Sequence, residues 1–185
     1  MTVTTVVPIR SFEGLTRLAE ALSAEERFAL MRRLAGRTTT AIAEAGASVV
    51  IVTGDHEVRS WASESGFGLV DEPDPPGLDA AAAAGMAQAD DGWMVVHADL
   101  PAIAPDDIEA AIAALGGRSV LAPSHDGGTS LIAGSTPGFP FSYGVGSFHR
   151  HLAAVPDATV LIRPGLALDL DRPSDLDAIQ RLGFL

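Results

Sequence analysis

An apolar run that ends in an acid is the first chemistry in this chain. Trp93 to Val96 lead into His97-Ala98-Asp99-Leu100-Pro101, the composition of a strand buried on both faces that stops at a proline. Ligands of open α/β sheets bind outside the carboxyl ends of the strands. A carboxylate there faces the ligand, and beside phosphates its usual work is to hold Mg²⁺. An Asp capping an Asx-turn is the competing reading. A second acidic group lies in Leu166-Ala167-Leu168-Asp169-Leu170-Asp171. If that segment is an extended strand, Asp169 and Asp171 point the same way, so Asp99, Asp169 and Asp171 form a candidate metal set. An ordinary acidic strand end before a last helix explains the pair equally well.

Two glycine loops offer an anion site. In Gly127-Gly128-Thr129 and Gly144-Val145-Gly146-Ser147 the glycines admit a ligand close to the backbone. Ser147 stands where a helix would present its first amides; two turns and an N-cap are the alternative. Arg10 and Arg17 flank the loop after the first strand, where two guanidiniums could clamp a triphosphate or simply be surface charge. There is no G-x-x-x-x-G-K-[ST] phosphate loop. The histidines give no ligand spacing for zinc and no Ser-His-Asp arrangement; His125 lies near the prospective ligand, and His149 and His151 flank Arg150 on a helix.

The elements that must position these residues alternate. Strands are expected over 3–9, 49–52, 66–70, 92–97 and 119–122. Helices are expected behind the capping box Ser23-Ala24-Glu25-Glu26, over 55–65, over the alanine-rich 78–89 and over 105–115. A hairpin-like region near 119–134 suggests an antiparallel intrusion. Beyond it come a helix over 148–154, an edge strand over 159–162 and a last helix capped by Ser174. This is the pattern of a three-layer α/β/α sandwich around a mostly parallel sheet, with residues 1–185 as a single domain.

The totals narrow the function. The 185 residues carry a net charge of −12, no cysteine and no lysine; all twelve basic residues are arginine. A nucleic-acid partner would need a basic surface, so none is expected. Disulfide and thiolate chemistry are excluded. No apolar run approaches the ~20 residues of a membrane helix, and Met1-Thr2-Val3-Thr4 lacks a signal-peptide pattern, so no membrane association and a cytoplasmic location are expected. An anionic substrate must rely on a few arginines, backbone amides or metal ions.

Six motifs, in order and spacing, resemble the phosphoenolpyruvate/2-phospho-L-lactate guanylyltransferases of coenzyme F-420 biosynthesis, in the nucleotidyltransferase superfamily. They are Val7-Pro8-Ile9-Arg10, Thr16-Arg17-Leu18-Ala19, His97-Ala98-Asp99-Leu100-Pro101, the stretch Ala122 to Thr129, Gly144-Val145-Gly146-Ser147-Phe148, and the stretch Pro164 to Asp171. The resemblance implies a nucleotidyltransferase-like (Rossmann-like) fold and transfer of GMP from GTP to a small phosphorylated carboxylic acid, with release of pyrophosphate. It places Asp99, Asp169 and Asp171 at the Mg²⁺ groove, Thr129, Gly144 and Ser147 on the acid, and Arg17 beside the triphosphate. Arg10, Arg17 and Asp99 are then the expected catalytic residues. A transient docking to a downstream transferase is a further implication.

Three positions depart from the family pattern. Leu15 stands where the motif lysine belongs, leaving Arg10 and Arg17 to supply positive charge. Asp79 replaces the asparagine of Gly-Leu-Asn, where an amide would suit guanine better. Val145 replaces a proline. Rival readings are another acceptor (3-phosphoglycerate, a molybdopterin or a sugar phosphate) and a non-catalytic nucleotide- or partner-binding module of the same fold.

Overall fold

The computed structural model describes residues 2–184. Its elements run β1 (Val3–Pro8), α1 (Ala24–Glu44), β2 (Ser48–Thr53), α2 (His56–Glu64), β3 (Gly68–Asp71), α3 (Leu78–Met86), β4 (Gly92–Val96), α4 (Pro105–Ala113), β5 (Val120–Pro123), β6 (Thr129–Gly134), α5 (Ser147–Ala154), β7 (Thr159–Val160), α6 (Pro164–Ala167) and α7 (Pro173–Arg181). The strands form one sheet in the order β3-β2-β1-β4-β6-β5-β7. β1 pairs in parallel with both β2 and β4, whereas β6 is antiparallel to β4 and β5. The expected antiparallel intrusion is this one strand, and the expected edge strand is β7, shortened to two residues.

The order places a topological switch beside β1. The chain moves outward through β2 and β3, then returns across β1 to lay down β4. A crevice opens at the carboxyl ends of β1 and β4, where α/β sheets take ligands. β4 is buried along its whole length, Gly92 through Val96, because helices cover both faces. One core packs α1, α2, α4 and α6 through Met31, Ile42, Val58, Ile108 and Leu166 against Val7, Ile51 and Met94. The other packs α3 against Val6, Val52 and Val95. A third cluster of Leu18, Leu34, Leu170, Leu176 and Ile179 seats α7 on α1.

Local rules fix the ends. Ser23 and Glu26 make the expected capping box, Ser23 N donating to Glu26 Oε2 at 2.8 Å and Glu26 N to Ser23 Oγ at 3.2 Å. Asp55 caps α2 through Val58 N at 2.9 Å. Two expectations are corrected. Residues 168–171 are not a strand; α6 ends at Ala167 and an irregular extended segment follows. Ser174 does not cap α7. Pro173 already occupies the first turn, and the Asp175 carboxylate caps instead, accepting from Arg172 N at 2.7 Å and Asp171 N at 3.1 Å.

α3 lies close on the sheet because Gly85 has no side chain. A Cβ there would stand 2.2 Å from Val6 Cγ1 and 3.0 Å from Val52 Cγ2, so β1 and β2 occupy that space. Gly85→Ala should therefore destabilise the fold by ~1–3 kcal/mol, the cost of overpacking a filled core. Urea unfolding should show a lower midpoint with an unchanged slope.

Candidate active site

A cavity of about 430 Å³ opens at the switch point. Its floor is the exit of β1 (Pro8 to Arg10) and of β4 (His97 to Asp99); the Ser11–Arg17 loop forms one wall, and Leu170 and Asp171 form another. A second cavity of about 290 Å³ continues beside it, sharing Pro8, Ile9, Arg10 and Leu78. The two make one groove along the carboxyl edge, with Arg10 exposed at their junction.

The acidic groups meet through a backbone bond. Leu170 N donates to the Asp99 carbonyl at 3.0 Å. Leu170 itself is fully buried in the α1/α7 core, so Asp169 and Asp171 flank Asp99. The segment is anchored upstream at α6: Arg163 Nε donates to Asp107 Oδ1 at 2.8 Å, and a Cβ on Gly165 would fall 1.9 Å from Asp107 Oδ2. The carboxylates thus converge without the late strand that the sequence suggested.

Asp99 and Asp169 are strained electrostatically. Each has an Oδ1 that is buried and makes no hydrogen bond. Burial pushes both carboxyls up to about 6; Asp171 and Asp126 add repulsion at Asp99, and Asp99 and Asp126 add it at Asp169. His125 partly relieves Asp169: its Nδ1 stands 3.0 Å from Asp169 Oδ1, an ion-pair contact without hydrogen-bond alignment, and its Nε2 stands 3.3 Å from Asp175 Oδ1. Asp171 is engaged by Arg17, which donates Nη1 to its Oδ2. Among the described residues no three acidic or histidine groups are gathered closely enough to hold a metal by themselves. What is present is a pair of carboxylates with open oxygens, and Mg²⁺ usually takes one or two carboxylates and completes its shell with water and substrate phosphates.

Leu15 adopts φ 55°, the one non-glycine residue in the left-handed region among those described. It holds the turn that sets Thr16 to Leu18 into a short 3₁₀ helix and presents Arg17 to the cavity. Its side chain packs against two of the cores, so the position of the missing lysine is spent on anchoring the loop. Arg10 and Arg17 are the permanent cations that line the cavity; His97, also lining it, is held neutral because burial lowers its pKa.

Thr129, Ser147 and Gly144 come together, in a particular way. Thr129 Oγ1 and Ser147 Oγ are 3.2 Å apart, both side chains buried. Gly144 lies on the exposed loop above, at φ 108°. Beneath them His151, fully buried, sits 3.0 Å from Thr129 Oγ1 through Nδ1 and accepts from Ser142 N at Nε2, 2.8 Å. Because Nε2 accepts, Nδ1 carries the proton and donates to Thr129. The Thr129 hydroxyl is then free to donate to Ser147, and the donor chain runs toward the loop. Burial pushes the His151 pKa down to about 4, which keeps this tautomer. Sequence reasoning passed over His151; its spacing of four from Ser147 on α5 was the available sign. Arg150, also passed over, ties the loop by donating to Ser142 O, Tyr143 O and Val145 O. Asp79 accepts from Tyr143 N at 2.7 Å and lines neither cavity.

Comparison with known proteins adds three findings. A family model described as "Guanylyl transferase CofC like" matches residues 3–180. The chain is 34% identical to a phosphoenolpyruvate guanylyltransferase of Sphaerobacter thermophilus, over 97% of this chain and 93% of that one. It is also 34% identical to a 3-phospho-D-glycerate guanylyltransferase of Phenylobacterium zucineum (90% and 84% covered) and to a 2-phospho-L-lactate guanylyltransferase of Halobacterium salinarum (93% and 81%). Among solved structures, a nucleotidyl transferase from Methanothermobacter thermautotroptrophicus superposes with TM-score 0.68 at 20% identity, covering 99% of this chain and 97% of that one. A chain from Desulfovibrio desulfuricans G20 reaches TM-score 0.81 at 16% identity, covering 99% and 88%. The fold is that of the nucleotidyltransferases.

The raised carboxyls carry a signed prediction. Between the ordinary carboxyl value and about 6 the native state holds more protons than the unfolded chain. The stability from that protonation is fully present at low pH and is lost as pH rises through about 6. His151 works the other way: its contribution is present above its ordinary value and lost as pH falls through about 4. Comparing variants isolates the carboxyls. In metal-free buffer the margin by which Asp99→Asn melts above wild type should be smallest near pH 4, grow as pH rises and level off above about pH 6; a difference independent of pH would contradict the coupling.

Proposed function

The chain belongs to the CofC-like guanylyl transferase family, and from that membership we propose that it moves GMP from GTP onto a small phosphorylated carboxylic acid and releases pyrophosphate. Phosphoenolpyruvate is the first choice of acceptor, 2-phospho-L-lactate the second and 3-phosphoglycerate the third, and coenzyme F-420 biosynthesis is the setting. The observation that carries the reading is the groove itself: Arg10 and Arg17 line, together with Asp99 and Asp171, a cavity at the β1/β4 switch, and Asp99 keeps a buried oxygen without a hydrogen bond.

In this reading a phosphate oxygen of the acceptor attacks the α-phosphorus of GTP in line. The new P–O bond forms as the bond to the β-phosphate oxygen breaks, and pyrophosphate leaves with that electron pair. No side-chain base is required, because the attacking phosphate is already ionised. Arg10 and Arg17 orient the triphosphate by charge-assisted hydrogen bonds. Arg17 exchanges Asp171 for a phosphate oxygen when GTP enters, which leaves Asp171 free beside Asp99. Asp99, Asp169 and then Asp171 are the residues that would hold Mg²⁺, whose chemistry is to neutralise the charge that two anions bring together. Unpaired buried carboxylate oxygens fit that ion.

The acid fits the other loop. Gly144 and the amides opening α5 approach its anionic groups, and the His151–Thr129–Ser147 chain directs donors to the same place. The product is a mixed phosphoric anhydride, open to hydrolysis, which favours direct transfer to the downstream transferase that consumes it. Leu15 favours one other reading, a nucleotide-binding module without turnover. Calorimetry showing GTP binding with no pyrophosphate released would select it.

The deciding assay is pyrophosphate release. It should require GTP, Mg²⁺ and one of the three acids, and ATP should not replace GTP. Asp99→Asn should lower turnover by about 10²-fold or more, the scale of removing one preorganised electrostatic element. Arg17→Gln should raise the KM for GTP and leave that for the acid unchanged. Full activity in Asp99→Asn would overturn the assignment.

A further inference from the structure

The smaller cavity holds a carboxylate that the proposed chemistry does not use. Its walls are apolar, formed by Ile9, Val52, Pro76, Leu78 and Ala81. Glu72 is its one acidic lining residue, and Arg10 stands where it joins the larger cavity. At about 290 Å³ it is at the low end of the ~300–1,000 Å³ of small-molecule sites, with apolar walls that suit a base. The triphosphate cavity opens on the other side of Arg10. A nucleotide laid along the groove therefore puts its base against Glu72.

Glu72 is half-buried and held in place by its backbone. Its N donates to Thr53 O at 3.2 Å, at the end of β2. Its side chain lies over Gly54, where a Cβ would stand 3.4 Å from Glu72 Oε2. Among the described residues the carboxylate has no hydrogen-bond or ion-pair partner, whereas its neighbour Asp71 is paired with Arg59. Asp79, the residue that the sequence placed at the base, is committed to Tyr143 N.

From the cavity, its continuity with the triphosphate groove and this unpartnered carboxylate, we infer that Glu72 selects guanine. The inference rests on the guanylyl-transfer reading and adds to it the residue that chooses the base. Guanine presents two adjacent donors, N1–H and the N2 amino group, to a carboxylate that can accept both. Adenine presents the N1 lone pair at the same place and is repelled. Uracil offers one donor, and cytosine sets an acceptor beside its amino group. A polar group that is left unpaired in an otherwise apolar pocket rejects such analogues strongly.

Steady-state pyrophosphate release from the full chain, with Mg²⁺ and each of the three acids in turn, tests this by comparing GTP, inosine triphosphate and ATP. Inosine triphosphate lacks only the N2 amino group. Wild type should prefer GTP to inosine triphosphate and both to ATP. Glu72→Gln keeps the shape, accepts one donor and opposes the other. It should lower kcat/KM for GTP by about 10²-fold, in line with the loss of a hydrogen bond to a charged group. The loss should lie in KM, with inosine triphosphate affected about tenfold less and ATP unaffected or improved. The melting temperature should match wild type, which separates selection from misfolding. Wild-type protein that turns over GTP, with Glu72→Gln keeping the same GTP-to-ATP ratio, overturns the role of Glu72 alone. Wild-type protein that turns over no GTP overturns the guanylyl reading, and this assignment with it.

Discussion

One backbone hydrogen bond organises the catalytic edge, the one from Leu170 N to the Asp99 carbonyl. It fastens a segment from the far end of the chain across the mouth of β4. Leu170 sinks into the core beneath α7 while Asp171 stays at the cavity and Asp169 turns to His125. The place of Asp171 in the groove follows from that clip, and so does its pairing with Arg17. The clip is kept in register upstream by Gly165, which lets α6 sit directly on the Asp107 carboxylate. Asp107 in turn binds Ala104 N at 3.0 Å, at the start of α4. A helix N-terminus, a glycine and a leucine thus position the acids of this edge through the backbone.

The electrostatics are those of a poised site. A chain with net charge −12 and no lysine gathers several of its acids where it would receive a tetra-anion. Burial and mutual repulsion hold Asp99 and Asp169 well above the ordinary carboxyl range. That cost is carried by the fold, and in the proposed reading a bound cation would relieve it. The opposite arrangement prevails under the second loop. His151 is buried without any acid in hydrogen-bonding contact and stays neutral, and the direction of its proton is set by a single amide, that of Ser142.

Much of this was legible in the sequence, for identifiable reasons. The β/α alternation was readable because strands buried on both faces are continuous apolar runs, and Ser23 and Asp55 stood at helix starts. The place of Asp99 at the cavity was readable because an acid at the end of such a run falls at the carboxyl edge of the sheet. The stretch from Leu168 to Asp171 was misleading because its alternation of Leu and Asp imitates a half-buried strand. The same alternation arises when one extended segment is pinned by a single bond. Ser174 looked like a cap, but Pro173 had already begun the helix. Asp79 and Leu15 stood out in the sequence only as departures and His151 only by its spacing from Ser147, so what each does was not legible. Their roles depend on Tyr143 N, a left-handed turn and Ser142 N, each of which is tertiary geometry.

The reversal of β6 has a consequence for how such a protein can diversify. Because β6 runs against its neighbours, its first residue, Thr129, lies at the same edge as the ends of β1 and β4. The five residues from Ser124 to Gly128 that join β5 to β6 need no crossover helix to reach it. The loop proposed for the acceptor is therefore built by a compact hairpin and α5, late in the chain. Both cavities assigned to the nucleotide are lined from residues 8–99, with only Leu170 and Asp171 added from beyond. In the proposed reading acceptor and donor are held by largely separate stretches of the chain. Relatives at 34% identity are named for three different acids while all are named guanylyltransferases, the pattern expected of a lineage that retools one end of its groove and leaves the other alone.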